Sequence, residues 1–197
     1  YIFISIISSI PVFGFSQVKD SIDKSNKISF KQGGDIRVQY FHFDNQNWKK
    51  ENDSNYLLTR FLWNAALHIG ASHQFKVEFQ SGLANGIPHP VSPVDENVLD
   101  LHQAFYRYSH KTGSSSKISA TIGRQELQYG SQRIISVREG PNNRQSFDAI
   151  KLKYEQKGLT IDAFLSTYVQ AKTGFFNDKF LNRNNILWGV YAVKYNV

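Results

Sequence analysis

A long run of alternating residues between positions 56 and 71 constrains the fold more than any other feature of this chain. Arg60, Asn64 and His68 fall on the polar side of the run. Its other side is almost entirely apolar: Leu57, Thr59, Phe61, Trp63, Ala65, Leu67 and Ile69. Such period-two alternation predicts a β-strand with one apolar face. Strands of soluble proteins usually have about 5–6 residues, whereas a tilted membrane-spanning strand needs about 9–11, so this length favours a membrane strand.

The same alternation recurs along the rest of the chain, and each recurrence predicts a further strand. Gly33 and Gly34 are interpreted as a turn that precedes the first of these strands. The further predicted strands are residues 35–43, 75–80, 100–109, 117–125, 147–154, 161–169 and 184–197.

The connections between these strands alternate between long and short. Long connections are predicted at residues 45–55, 85–97, 126–146 and 170–183, and short ones at 72–73, 111–116 and 156–158. Outer-membrane barrels have short periplasmic turns and longer extracellular loops. The sequence therefore predicts an all-β fold, an antiparallel meander of about eight strands that forms an incomplete part of a larger transmembrane β-barrel.

In such a barrel the apolar positions of all strands must lie on one face, which is the face toward lipid. We expect this lipid face to hold the following side chains: Leu57, Phe61, Trp63, Leu67, Ile69, Phe75, Val77, Phe79, Ile118, Ile122, Ile150, Leu152, Ile161 and Leu165.

The first sixteen residues form a short apolar run that ends in small residues, Gly14 and Ser16, and polar sequence follows at once. This pattern is typical of a secretory signal peptide, although a buried apolar strand is the alternative. We therefore expect a signal peptide at residues 1–16, truncated at its start, a polar lead-in at 17–32 and the barrel domain at 33–197. The last predicted strand has no partner after it, which suggests the N-terminal fragment of a longer protein.

The net charge of +7 and the absence of cysteine narrow the possible functions. A basic chain can bind nucleic acid, an anionic membrane or an acidic polymer, and an export signal disfavours nucleic acid. The six histidines show no HExxH spacing and no G-x-S-x-G elbow is present, so we expect no enzyme, no cofactor and no metal site. The expected surroundings are outer-membrane lipid and lipopolysaccharide, while a periplasmic partner stays unknown.

A short segment between two predicted strands is unusually rich in charge. It contains four arginines and three acids that, together with Arg60, are the candidate pore-lining residues: Arg124, Arg133, Arg138, Arg144, Glu126, Glu139 and Asp148. A protein core cannot bury so many charges without pairing them, whereas a water-filled pore can hold them as a constriction. The same charges could instead form a salt-bridged loop that only rigidifies the barrel. Arg37, Arg107, Lys151 and Lys153 would add to a basic inner surface.

Four short motifs carry a resemblance to a known family. They are Asp-Leu-His-Gln-Ala-Phe at 100–105, Gly-Arg-Gln-Glu-Leu-Gln-Tyr-Gly at 123–130, Arg-Glu-Gly-Pro-Asn-Asn-Arg at 138–144 and Ser-Phe-Asp at 146–148. With them the chain resembles the alginate-export family of bacterial outer-membrane barrels over residues 33–197. The resemblance implies an eighteen-stranded barrel with an arginine- and lysine-lined lumen for an acidic polysaccharide, of which this chain supplies about the first eight strands.

Two functions follow as expectations. The first is a porin-like channel in the bacterial outer membrane that passes anionic solutes, by resemblance an acidic polysaccharide such as alginate, through an arginine-lined lumen. The alternative is a structural or surface-interaction barrel that transports nothing and whose long loops bind a partner. The position of residues 126–148 separates the two, because a loop that folds over the polar face favours the pore and one that projects outward favours the interaction.

Overall fold

The chain folds into one antiparallel sheet of strands joined in sequence order. The computed structural model describes residues 6–10, 28–44, 54–87 and 90–195, and for residues 6–10 only the backbone. The strands of the described residues are β1 (Ile6–Ile10), β2 (Ile28–Phe43), β3 (Ser54–Ile69), β4 (His73–Asn85), β5 (Asn97–Lys111), β6 (Ser116–Gln125), β7 (Phe147–Gln156), β8 (Leu159–Tyr168) and β9 (Ile186–Lys194). No helix among these residues is long and apolar enough to cross a membrane.

Each strand pairs with its sequence neighbours, so the predicted all-β meander is confirmed. The sheet is open, since its order runs from β1 at one edge to β9 at the other. The strand predicted at residues 56–71 is the 16-residue β3. Strands of this length fit the tilted membrane strands that the alternation predicts.

The predicted signal peptide overlaps β1, whose backbone pairs with β2 from Ile6 opposite Tyr40 to Ile10 opposite Ile36. Residues 1–5 and 11–27, which hold the rest of that segment and most of the lead-in, lie outside the described residues. The first predicted long connection also lies mostly outside them, at residues 45–53. The signal peptide and the domain limits therefore stay predictions.

The interpretation of Gly33 and Gly34 as a turn before the first strand is wrong. Strand β2 begins at Ile28 and runs through both glycines, which pair with Asn64 and Trp63 of β3. A Cβ atom on Gly34 would lie 2.5 Å from the Leu62 carbonyl oxygen, so the backbone at this position approaches too closely for any side chain. Glycine inside a strand often marks such a close approach.

One face of the sheet is apolar across every hairpin, as predicted. The register places Ile122 opposite Ile150, Ile150 opposite Leu165 and Leu165 opposite Trp188, and about half of each of the first three side chains is exposed. The same register continues through β5 and β4 to β3, where Phe75 faces Leu67 and Tyr106. All fourteen predicted residues share this surface, which we call the apolar face.

The opposite surface, which we call the polar face, carries one arginine each from β2 and β3, the acid Glu78 of β4 and the two lysines of β7. The long connections lie at one end of the sheet, which we call the loop end. They are residues 86–96, 126–146 and 169–185. The short connections lie at the opposite end of the sheet, which we call the turn end. They are residues 70–72, 112–115 and 157–158. The predicted sorting of loops by length is therefore confirmed for the described residues.

Candidate functional site

The loop at residues 126–146, which we call the crossing loop, lies against the polar face of β3 and β4. Asn142, which is 0% exposed, directs its side-chain Nδ2 at the backbone oxygens of Thr59, Leu83 and Asp95, at 3.0, 3.3 and 2.8 Å. A Cβ atom on Gly82 of β4 would lie 2.0 Å from the Asn143 side-chain oxygen, so the Asn143 side chain of the loop occupies the space over this glycine. The crossing loop is thus fastened to the sheet rather than extended away from it.

An apolar cluster holds the first half of the crossing loop. Leu127, only 1% exposed, and Ile135 pack with Phe147, Ala149 and Phe164 of β7 and β8. These strand residues share the polar face with Lys151, which lies opposite Phe164. Burial of apolar surface stabilises a contact by about 25 cal/mol per Å², so this cluster anchors the loop independently of its charges.

A continuous chain of ion pairs joins the crossing loop to the strands. Arg60 of β3, 3% exposed, places Nη2 2.5 Å from Glu139 Oε1. The other Glu139 oxygen lies 2.9 Å from Arg144 Nε, and Arg144 Nη2 lies 3.1 Å from Glu126 Oε1. The same Glu126 oxygen is 2.8 Å from His102 Nε2 on β5. Four of the eight predicted site residues therefore meet in one network.

Burial opposes the charge on the Glu126 carboxyl, but the hydrogen bond to His102 and the nearby guanidinium of Arg144 outweigh it and lower its pKa. An opposite charge within about 4–6 Å favours the ionised form of a carboxyl group. Glu126 therefore stays ionised at neutral pH and holds the start of the crossing loop on the sheet.

The ion chain continues onto β4 and includes a candidate metal-ligand group. Ligand atoms of Glu78, His102 and Glu126 lie within 4.8 Å of one another. Lys76 Nζ is 2.9 Å from Glu78 Oε2, and Gln103 Nε2 donates to Glu78 Oε1 at 2.8 Å. The cations and amide already satisfy these oxygens, so the arrangement resembles an ion-pair network more than a vacant cation site.

Arg37 of β2 binds the backbone of the crossing loop. Its guanidinium donates to the Glu139 carbonyl oxygen at 2.6 Å and to the Pro141 carbonyl oxygen at 2.5 Å. Two strands thus present arginines to the same short stretch of loop. The five donors of a guanidinium suit such multiple contacts.

Arg124 and Asp148, also predicted site residues, form a separate buried pair on β6 and β7. Arg124 Nε donates to Asp148 Oδ1 at 2.8 Å and Nη2 to Oδ2 at 3.3 Å, a bidentate arrangement. Arg124 also donates to the backbone oxygens of Leu101 and Lys179 at 3.1 and 3.2 Å. The pair therefore connects the strand ends to the loop at residues 169–185, which we call the β8–β9 loop.

The remaining two predicted residues, Arg133 and Arg138, do not join either group. Both side chains are exposed, and neither forms an ion pair with any other described residue. Arg138 has a φ of 56°, a backbone conformation that side chains rarely adopt. Both guanidinium groups remain available to a solute.

A basic pocket of about 250 Å³ opens on the polar face toward the turn end. Its charged lining consists of Arg107, Lys117, Lys151, Lys153, Glu155 and Asp162. Arg107 is held in place by donating to the Thr121 hydroxyl at 3.0 Å and to the Gln74 side-chain oxygen at 3.2 Å. With four cations against two carboxylates, the pocket has an excess of positive charge.

Sequence reasoning named three of these cations but missed Lys117, although strand alternation places it on the polar face. It also missed Asn142 and the acceptor role of Glu78. Nothing in the local sequence distinguishes Asn142 from Asn143, because the contacts that bury it come from distant strands.

The chain was also compared with known proteins. The family model described as Alginate export matches residues 28–194, which is most of the chain. That family consists of outer-membrane transport channels and is not a catalytic one. No curated protein and no solved structure matches the chain. On the strength of the family match, this chain belongs to the alginate export family.

Proposed function

We propose that this protein forms part of an outer-membrane channel that passes anionic solutes, with an acidic polysaccharide such as alginate as the substrate. In this proposal the apolar face meets lipid and the polar face lines a water-filled lumen. Family membership supports the location and the kind of transport. The excess of cations on the polar face supports the preference for anions.

The observation that carries the proposal is the position of the crossing loop. Asn142 and Arg60 fasten it to the polar face, so in a closed barrel it would narrow the lumen rather than extend into the medium. Loops that fold into the interior restrict the channels of outer-membrane barrels. The same segment carries the exposed guanidinium groups of Arg133 and Arg138.

The candidate residues take different parts in this proposal. Arg133 and Arg138 contact the solute, because their guanidinium groups are exposed and unpaired among the described residues. In the ion chain, the negative charges of Glu126 and Glu139 offset the positive charges of Arg60 and Arg144. The constriction therefore contains charges of both signs, so that it attracts an anion without trapping it. Arg124 and Asp148 support the loops from outside the solute's path.

The basic pocket at the turn end would be the first site that a polymer meets. Short turns of outer-membrane barrels face the periplasm, so Arg107, Lys151 and Lys153 would lie at the entrance for an exported molecule. A polyuronate carries one carboxylate per sugar, and several cations near one another attract such a chain over a distance. Arginine pairs with a carboxylate bidentately and stays charged at any physiological pH.

Ion selectivity tests the proposal. The protein expressed from its complete reading frame is inserted into a planar bilayer, and the reversal potential is measured across a KCl gradient. We expect the channel to prefer chloride, and the double variant Arg133→Glu with Arg138→Glu to lose most of that preference. These two side chains form no ion pairs with the residues that the structure describes, so the exchange should not disturb folding.

A charge-matched control separates a local effect from a change in net charge. The double variant Lys157→Glu with Lys194→Glu makes the same charge change in a turn and at the end of β9. It should alter the preference far less. An unchanged preference in the Arg133/Arg138 variant would show that these arginines do not line the conducting path.

The pairing of Arg60, Arg144, Glu126 and Glu139 with one another favours one alternative. In this alternative the crossing loop closes the barrel, and the protein acts only as a structural or surface-interaction barrel. Shortening the loop between Tyr129 and Ile135 distinguishes the two. A closed barrel should begin to conduct when the loop is shortened, whereas an open channel should already conduct and become less selective.

A further inference from the structure

The β8–β9 loop extends the sheet where strands β6 and β7 are too short to do so. The pairing of β5 with β6 ends at Ala104 opposite Arg124, which leaves the first residues of β5 without a strand partner on that side. Phe175 forms a parallel bridge with Leu99, and the Phe176 amide donates to the Leu99 carbonyl at 2.9 Å. The loop therefore continues the wall of the sheet at its loop end.

Buried carboxylates fix the backbone of the β8–β9 loop. Asp100 Oδ2 accepts hydrogen bonds from the amides of Asn177 and Asp178 at 2.8 and 3.0 Å. Asp148 Oδ2 accepts one from the Leu181 amide at 2.9 Å. Since the backbone is held to the strand ends, the loop presents its side chains in a defined arrangement.

The loop exposes three phenylalanines, and one of them contacts the apolar face. Phe175, Phe176 and Phe180 are 66%, 59% and 67% exposed. The Phe176 ring meets the Phe79 ring edge-on at 6.0 Å, and Phe79 stacks with Trp63 on the apolar face. The apolar face therefore reaches the loop through Phe176, where the sheet ends.

The loop also exposes three cations among these aromatic rings. Lys172, Lys179 and Arg183 are exposed and form no ion pair with other described residues. The loop's one acid, Asp178, is directed inward, where the Asn97 side chain and the Lys172 amide donate to it. The outward surface of the loop is therefore both apolar and positively charged.

We propose that this surface, defined by Phe175, Phe176, Phe180, Lys172, Lys179 and Arg183, docks the phosphorylated glycolipid of the outer leaflet. Long loops of outer-membrane barrels face the exterior, so the loop end lies at the level of the outer-leaflet headgroups. Aromatic side chains favour this interface, and clustered lysine and arginine bind lipid phosphates. The acyl chains contact the phenylalanine rings while the cations pair with the phosphates.

Binding of defined lipids by the detergent-solubilised protein, expressed from its complete reading frame, tests the proposal. Three probes separate the parts of the ligand: bisphosphorylated lipid A, the same lipid without phosphates, and a soluble glucosamine phosphate without acyl chains. We expect only the first to bind strongly. The triple variant Lys172→Gln, Lys179→Gln, Arg183→Gln should weaken its binding by about tenfold or more, since each cation near an anionic lipid surface contributes appreciably.

The matched control removes three exposed lysines from the turn end, with Lys111→Gln, Lys157→Gln and Lys194→Gln. It should bind lipid A as the unmodified protein does. The proposal is overturned if the two triple variants bind equally well, or if the dephosphorylated lipid or the soluble phosphate binds as strongly as lipid A. Because anion selectivity of the channel is measured separately, failure here leaves the proposed transport function untouched.

Discussion

Arg60 and Glu139, separated by 79 positions in the sequence, form a 2.5 Å ion pair that joins the middle of β3 to the crossing loop. Arg60 is almost completely buried, and its Nε and Nη1 atoms have no hydrogen-bond partner within the described part of the chain. Glu139 is half-exposed, so solvent weakens the pair from that side. Arg60 nevertheless relies on Glu139 and on the more distant Asp35 for its only carboxylate contacts among the described residues.

Exchanging Glu139 for glutamine should loosen the second half of the crossing loop. We expect a cost of about 1 kcal/mol, because the pair is buried on one side only. The Asn143 amide, which donates to the Val94 carbonyl at 2.9 Å, reports this loosening. Hydrogen exchange measured by mass spectrometry on residues 139–146 should be about fivefold faster. Arg133→Gln, in the same loop but outside the ion chain, should leave that rate unchanged, and equal rates in both variants would contradict the assignment.

Asn142 should matter more to stability than its small size suggests. Its Nδ2 group donates to backbone oxygens on two strands and one loop, so Asn142→Ala removes all three contacts from a fully buried position. We expect a loss of roughly 1–3 kcal/mol in the free energy of unfolding by urea. The exposed Asn184→Ala serves as the reference and should change stability by less than about 0.5 kcal/mol. Similar unfolding midpoints for the two variants would show that the loop is not fastened here.

The anchoring of the β8–β9 loop should depend on pH through Asp178. Burial, with a further contribution from nearby Asp100, raises the pKa of Asp178 to about 6, despite the hydrogen bond from the Lys172 amide. A carboxyl whose pKa is higher in the folded state stabilises that state most when protonated, and the contribution is lost as pH rises through about 6. The loop should therefore be held more tightly at pH 5 than at pH 7.5.

Asp178→Asn removes this dependence. Asn97 Oδ1, which has no hydrogen-bond partner among the described residues, can accept from the new amide, so the neutral side chain keeps a partner. Hydrogen exchange at residues 172–181, corrected for the intrinsic effect of pH, should be slower in the variant at pH 7.5 and equal to the unmodified protein at pH 5. Faster exchange in the variant at pH 7.5 would mean that the charged form of Asp178 stabilises the loop.

The two faces of β3 should differ in how much stability a new charge costs. Phe61 lies in the middle of the strand on the apolar face, and Asn64 lies on the polar face between Gly33 and Glu78. In lipid vesicles Phe61→Arg should lower the free energy of unfolding by about 2–4 kcal/mol, the cost of arginine near the bilayer midplane. In the variant Asn64→Arg the longer side chain has space over Gly33 and lies beside the Glu78 carboxylate. This variant should therefore lower the free energy of unfolding far less. Equal losses would mean that the apolar face does not meet lipid.

The strands and their faces could be predicted from the sequence because alternation is a local signal that each strand carries for itself. Gly33 and Gly34 were misinterpreted since their position inside β2 is imposed by the close approach of Leu62 on the next strand. The pairing of Arg60 with Glu139 and the separate pairing of Arg124 with Asp148 could not be predicted. Both depend on how two long loops fold back onto distant strands, and no local pattern records that.

The central claim is that the polar face conducts an acidic polysaccharide, and the block of single-channel current by short oligosaccharides tests it most directly. The protein expressed from its complete reading frame is placed in a planar bilayer, and oligosaccharides are added on the side of the short turns. An oligouronate should interrupt the current, and the interruptions should become rarer at about 1 M salt, where the Debye length falls to about 3 Å. A neutral oligosaccharide of equal length should not interrupt it at the same concentration. If both sugars block equally, or neither blocks, the polar face is not a path for acidic polysaccharide.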